Sequence, residues 1–144
     1  MDRFEQLIDG AAAQPFAGWD FSYLRDRWDE EHPDWDYREL VRRRFAGAHA
    51  LLDMGTGGGE VLESLAPLPP RTTATEGYAP NVEIARHRLS RLGVEVVAVA
   101  GAPDNLEIEE GVGIGSLPFP DAGFPLVINR HESYYPAEGY RLLE

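Results

Sequence analysis

One stretch of this 144-residue chain has the residue types and spacing of a ligand cradle: Leu51-Leu52-Asp53-Met54-Gly55-Thr56-Gly57-Gly58-Gly59-Glu60. Glycines at a strand-to-helix turn let the backbone bend sharply and approach a ligand, because no Cβ stands in the way. The following helix offers unpaired N–H groups at its N-terminus. Spacing narrows the choice of ligand. A dinucleotide turn reads G-x-G-x-x-G. Gly55 and Gly57 meet its first two positions, but the third is Glu60, whose charge would face a pyrophosphate. The pattern that fits is D-x-G-x-G-x-G, from Asp53, Gly55, Gly57 and Gly59. A carboxylate just before the turn suits a ligand that carries an ammonium group. The plain alternative is a tight turn without a ligand.

Glu76 stands 19 residues after Gly57. An acid at that distance, ending a second strand, can accept hydrogen bonds from both hydroxyls of a ribose. Otherwise it is a solvated strand-end acid. As a ribose ligand its side chain is expected near solvent in the empty site, so that its removal hardly changes folding. Gly77 and Tyr78 follow, and the Tyr78 ring either packs on a sugar or base face or belongs to the core. A third polar group is Asn129-Arg130-His131-Glu132-Ser133-Tyr134-Tyr135, at the end of a fourth strand. His131 is of a residue type that serves as a general base, and Arg130 suits an anionic substrate. Alternatively this run begins the next helix and bonds to its neighbours. His32, His49 and His87 are scattered without ligand spacing, which argues against a metal site.

Such groups need elements to hold them. From His49 onward the pattern predicts strands over 48–54, 72–75, 94–100 and 124–129 and helices over 60–65, 81–92 and 137–143, with a loop over 101–116. Val82, Ala85, Leu89 and Leu92 form the buried face of the middle helix, and Gly93 is placed to cap it. Strands alternating with helices imply parallel pairing with right-handed crossovers, an open α/β sheet. Ligands of such sheets bind at the carboxyl edge where strand order reverses. Residues 1–47 read as a separate helical, acidic cap. Phe4, Leu7 and Ile8 make a short stripe broken by Gly10 and Pro15. Asp36 and Glu39 have capping-box spacing, and Tyr37, Leu40, Val41 and Phe45 mark one helix face. Trp19, Phe21 and Tyr23 form either a lid or core.

The composition removes several chemistries. The 13 basic residues are all arginine against 25 acids, a net charge of −12 that disfavours a nucleic-acid interface. Without lysine there is no Schiff base and no Walker P-loop. Without cysteine there is no disulfide, thiolate or cysteine-held zinc. No apolar run reaches the roughly 18 residues of a membrane span, and the acidic start is wrong for a secretory signal. A cytoplasmic protein without membrane contact is the expectation.

The glycine turn, Glu76 and the run Leu117-Pro118-Phe119-Pro120-Asp121-Ala122-Gly123-Phe124-Pro125-Leu126-Val127 together resemble the class I S-adenosylmethionine-dependent methyltransferases. The last run is similar to the L-P-F-P-D-x-S-F-D-x-V segment of the small-molecule branch. The resemblance covers roughly two thirds of the chain, from about Ala48 onward. It implies a Rossmann-like core over 48–144, with an N-terminal helical cap over 1–47. The implied cofactor is S-adenosyl-L-methionine, the implied product S-adenosyl-L-homocysteine, and the implied acceptor a small molecule methylated by in-line displacement. In the family the first acid and the glycine turn hold the methionine end, the second acid holds the ribose, and the loop after the third strand holds the adenine. The end of the fourth strand lies near the sulfonium. On this chain the cofactor residues so implied are Asp53, Gly55, Thr56, Gly57, Gly59, Glu76, Gly77, Tyr78, Asp104 and Asn129. Such a displacement asks the protein mainly for alignment and desolvation. Where an acceptor must lose a proton, His131 is the first candidate base and Tyr134 the second.

Three departures from the family pattern matter. A glycine-rich insertion separates Asp104 from Leu117, so adenine falls either to Ala102, Asp104 and Asn105 or to residues 115–117. Pro125 replaces an Asp. The family continues beyond the position of Glu144 with a P-G-G turn and three strands, so a fragment or a shortened enzyme is expected. Family strand order puts the first strand beside the fourth and a fifth outside it. Lacking the fifth, the apolar edge of Leu126, Val127 and Ile128 is expected to pair with another copy. The rivals are a non-catalytic cofactor-binding module and a nicotinamide-dependent oxidoreductase.

Overall fold

Four short strands lie side by side in one parallel sheet. The computed structural model describes residues 2–15, 20–31, 33–99, 101–102 and 116–143. Its strands are β1 (Ala50–Met54), β2 (Arg71–Glu76), β3 (Glu95–Ala98) and β4 (Val127–Asn129). They pair in the order β3-β2-β1-β4. Leu52 lies beside Thr73 on one side and Val127 on the other, all in parallel. The order therefore reverses at β1, as the alternating pattern implies. Its five residues are all buried. Their side chains alternate between two core layers, following the two-residue period of a strand. Leu51 packs with Leu62, Leu65, Ala85 and Leu89. Ala50, Leu52 and Met54 pack on the opposite face with Leu117, Phe124 and Leu142.

Five α-helices accompany the described strands: α1 (Arg3–Ala12), α2 (Tyr37–Arg44), α3 (Glu60–Ser64), α4 (Ala79–Leu89) and α5 (Pro136–Leu142). The expected face of α4 is borne out at Val82, Ala85 and Leu89, which are buried. A 3₁₀ turn, Ser90–Leu92, extends α4, and Gly93 ends it with φ +69°. Leu89 also decides the third glycine of the turn. A Cβ on Gly59, whose φ is +83°, would stand 2.9 Å from Leu89 Cγ.

The N-terminal residues depart from expectation in three ways. Gly10 does not stop α1, which opens with a reciprocal Asp2–Glu5 capping box and runs on to Ala12 with none of its residues buried. At α2 the expected capping box is half made. Asp36 Oδ1 accepts from the Glu39 N–H at 2.9 Å, but the Glu39 side chain pairs with Arg43 instead of returning to the cap. Of the expected α2 face, Val41 is buried while Leu40 is exposed. Phe21 is exposed, and Tyr23 carries the Arg27 guanidinium 4.2 Å from its ring centre. Trp19 and His32 lie outside the described residues.

β4 is shorter than predicted because Pro125 has no N–H for a ladder. Pairing starts where Leu126 O accepts from Leu52 N–H at 3.0 Å. Phe124 instead forms a single parallel bridge with Leu143, which α5 brings to that side. Arg141 of α5 gathers the preceding run. It donates to Leu117 O (3.1 Å), Phe119 O (2.7 Å) and Asp121 Oδ1 (2.8 Å), and to both oxygens of Glu138 at 2.8 Å. The Leu117 N–H donates to Glu138 Oε2 at 2.9 Å. Hydrogen bonding to Arg141 holds the Glu138 carboxyl below its ordinary range.

Candidate cofactor site at the carboxyl edge

Every second residue of the turn adopts the left-handed conformation that favours glycine: Gly55 (φ +67°), Gly57 (+63°) and Gly59 (+83°). β2 fixes the turn through the backbone. Gly55 N–H donates to Thr75 Oγ1 (3.2 Å), Thr56 N–H to Thr75 O (2.8 Å) and Gly57 N–H to Glu76 Oε2 (2.7 Å). The other oxygen of Glu76 accepts from Tyr78 N–H at 2.7 Å. Glu76 is therefore buried, with 6% of its surface exposed. This corrects the expectation of a solvent-facing side chain: the carboxylate joins the glycine turn to the loop after β2. An ionised carboxylate has about four acceptor positions. These two donors take two of them. Gly77 and the Tyr78 ring are exposed beside it, so Tyr78 is not part of the core.

Asp53, at the end of β1, is also buried, with 8% exposure. Burial above all pushes its carboxyl up to about 7; Thr56 opposes the shift and the charge of Glu76 adds to it. The acid expected to meet a ligand's ammonium is thus covered and only partly charged near neutrality. Tyr37 of α2 faces the same spot. Burial and the charge of Asp53 push its hydroxyl up to about 12, against the pull of Arg130. Tyr37, Asp53, Thr56, Arg130 and His131 line one small cavity of about 30 Å³. Nothing in the sequence marks Tyr37 for this cavity, because an aromatic at a helix start carries no signal that it will meet the end of β1.

At the end of β4 a loop precedes α5, so residues 130–135 do not begin the helix. Asn129 closes this loop on itself: its Nδ2 donates to Glu132 O (2.8 Å) and its Oδ1 accepts from Glu132 N–H (3.0 Å). Glu132 reaches back across the edge, where Oε1 accepts from Gly101 N–H at 2.9 Å. His131 and Tyr134 are exposed. They share an open groove of about 730 Å³ with Met54, Asn129, Glu132 and Tyr140. The structure thus gathers the turn residues with Glu76, and Asn129 with His131 and Tyr134. Asp104 lies outside the described residues. Of the two adenine sets, Ala102 is buried at the edge and Leu117 belongs to the core. Glu60, the acid at the third dinucleotide position, turns to α4 and pairs with Arg88 at 2.9 Å. Among the described residues no three acids or histidines form a metal-binding group, and no helix is long and apolar enough to cross a membrane.

No protein-family model matches the chain, and no curated protein matches it. Solved structures do. The YcgJ protein of Bacillus subtilis is 20% identical with a TM-score of 0.56, over 74% of this chain and 45% of that one. A SAM-dependent methyltransferase from Aquifex aeolicus is 20% identical with a TM-score of 0.54, over 88% of this chain and 68% of that one. CalS10 of Micromonospora echinaspora, a SAM-bound amino pentose methyltransferase, is 24% identical with a TM-score of 0.50, over 82% of this chain and 44% of that one. The chain spans about half the length of the first of these structures. At such identities the likeness is one of fold: this chain has the open, all-parallel Rossmann-like fold of S-adenosylmethionine-dependent methyltransferases.

Proposed function

We propose that the carboxyl edge binds S-adenosylmethionine and serves methyl transfer to a small-molecule acceptor. The observation that carries this is the buried Glu76 carboxylate, 2.7 Å from both Gly57 N and Tyr78 N. It stands beside a turn of alternating glycines, with acceptor positions left for a ribose. The bound cofactor would supply a methyl carbon already activated by its sulfonium. Glu76, beside the turn, accepts from the ribose, and the exposed Tyr78 ring offers a face to sugar or base. The groove beside β4 receives the acceptor, where Arg130 attracts an anionic group. His131, or Tyr134 after it, takes a proton where the acceptor must lose one. Glu60 puts a side chain where a dinucleotide turn has its third glycine, the one that lets helix and strand pack closely, which disfavours NAD. Calorimetric titration of the chain with S-adenosylhomocysteine and with NAD tests this. Tighter binding of S-adenosylhomocysteine is expected, and tighter binding of NAD overturns the proposal.

A further inference from the structure

We infer that Glu132, rather than Asp53, is the carboxylate that receives the ammonium group of a ligand lying in the glycine turn. This rests on the cofactor proposal above and assigns one more residue of the same site. The first support is contact. A Cβ on Gly55 would stand 2.5 Å from Glu132 Cβ and 2.7 Å from Glu132 Oε2. The first glycine of the turn therefore makes room for Glu132, as its positive φ alone does not require.

The second support is that Glu132 is already fixed in place. Asn129 grips its backbone at 2.8 and 3.0 Å, and Gly101 N–H holds Oε1 at 2.9 Å. Gly101 in turn has no room for a side chain: a Cβ there would lie 2.9 Å from Glu132 Cγ and 2.5 Å from Ser133 O. The carboxylate thus bridges the loops after β3 and β4, directly over the end of β1. That is the crevice where strand order reverses and where ligands of such sheets lie. A group held in its working position loses little entropy when a ligand arrives.

The third support is access. Glu132 is half-buried, whereas Asp53 is closed in beneath the turn. A hydrogen bond from an ammonium to a carboxylate is among the strong ones, and of these two acids Glu132, packed against Gly55, is the more exposed.

A cycle of two ligands and four proteins tests the assignment: S-adenosylhomocysteine and its deamino analogue, with wild type, E132Q, E132D and D53N. Wild type is expected to prefer the amino ligand by about tenfold or more, typical of a charge-assisted bond. E132Q keeps the shape and the acceptor for Gly101 N–H, and is expected to erase that preference while binding the deamino analogue as wild type does. E132D, with its charge one methylene back, is expected to fall between them, and decides the matter if E132Q loses its thermal transition. D53N is expected to keep the preference. A preference that persists in E132Q and E132D, or that vanishes in D53N, overturns the assignment. So does a wild type that binds both ligands equally, and that result leaves the cofactor proposal standing. Failure of wild type to bind either ligand overturns that proposal and this inference together.

Discussion

Asp53 and Glu76 end neighbouring strands at one edge, and their surroundings set them different tasks. Both are buried, but Glu76 has two backbone donors at 2.7 Å, whereas burial pushes Asp53 up to about 7. Folded Asp53 keeps its proton to about pH 7, while an unfolded Asp loses it near 3.8. Between those values the folded state binds the extra proton. The contribution of Asp53 to stability is therefore fullest below pH 4 and is lost as pH rises to about 7, on the order of 4 kcal/mol in all. Asp53→Asn lacks this titration. In urea unfolding, its stability relative to wild type is expected to rise between pH 5 and pH 8, and a constant difference contradicts the account. Glu76→Ala strips the acceptor from two N–H groups. It is expected to cost about 2–3 kcal/mol of folding stability and about 1.5–3 kcal/mol of cofactor affinity. An unchanged unfolding midpoint would mean that the carboxylate does not hold the turn. Asp53, the glycines and Glu76 were legible in the sequence because they sit at fixed offsets from strand ends. The meeting of Glu132 with Gly101, 31 residues away, is set by two loops whose approach no local pattern records. The same is true of Tyr37.

At the scale of elements, four parallel strands and the buried face of α4 follow from periodicity: β1 is part of a short apolar run, and α4 carries Val82, Ala85 and Leu89 at helical spacing. Boundaries were less legible. β4 shortens because Pro125 cannot join the ladder, and α1 passes Gly10 because one glycine only lowers helix stability by about 1 kcal/mol. The role of the 117–121 run became visible only through Arg141, which binds its carbonyls from α5. Arg141→Met is expected to lower the melting temperature of the whole chain, because it releases Leu117 and Phe119 together. A melting curve that overlays the wild type contradicts that clamp. Gly59→Ala tests the contact between the turn and α4. With φ +83° and Leu89 Cγ at 2.9 Å from the new methyl, it is expected to destabilise by about 1–3 kcal/mol. A neutral result by chemical denaturation would show that Leu89 yields freely.

Over the whole molecule, β4 is the outer strand of the described sheet, and Leu143 bridges only to Phe124, ahead of it. Among the described residues no strand lies on the outer side of Val127–Asn129. Such edges pair with other chains. Light scattering on the 144-residue chain is expected to report association through this strand. A stable monomer at high concentration contradicts it. The proposed cofactor site is one edge, formed by the glycine turn, the end of β2 and the loop after β4. Amide NMR during titration with S-adenosylhomocysteine tests it most directly. The account predicts the largest shifts at residues 55–59, at residues 76–78 and at residues 129–132. Binding that leaves these amides unmoved, or that moves another surface, would contradict it.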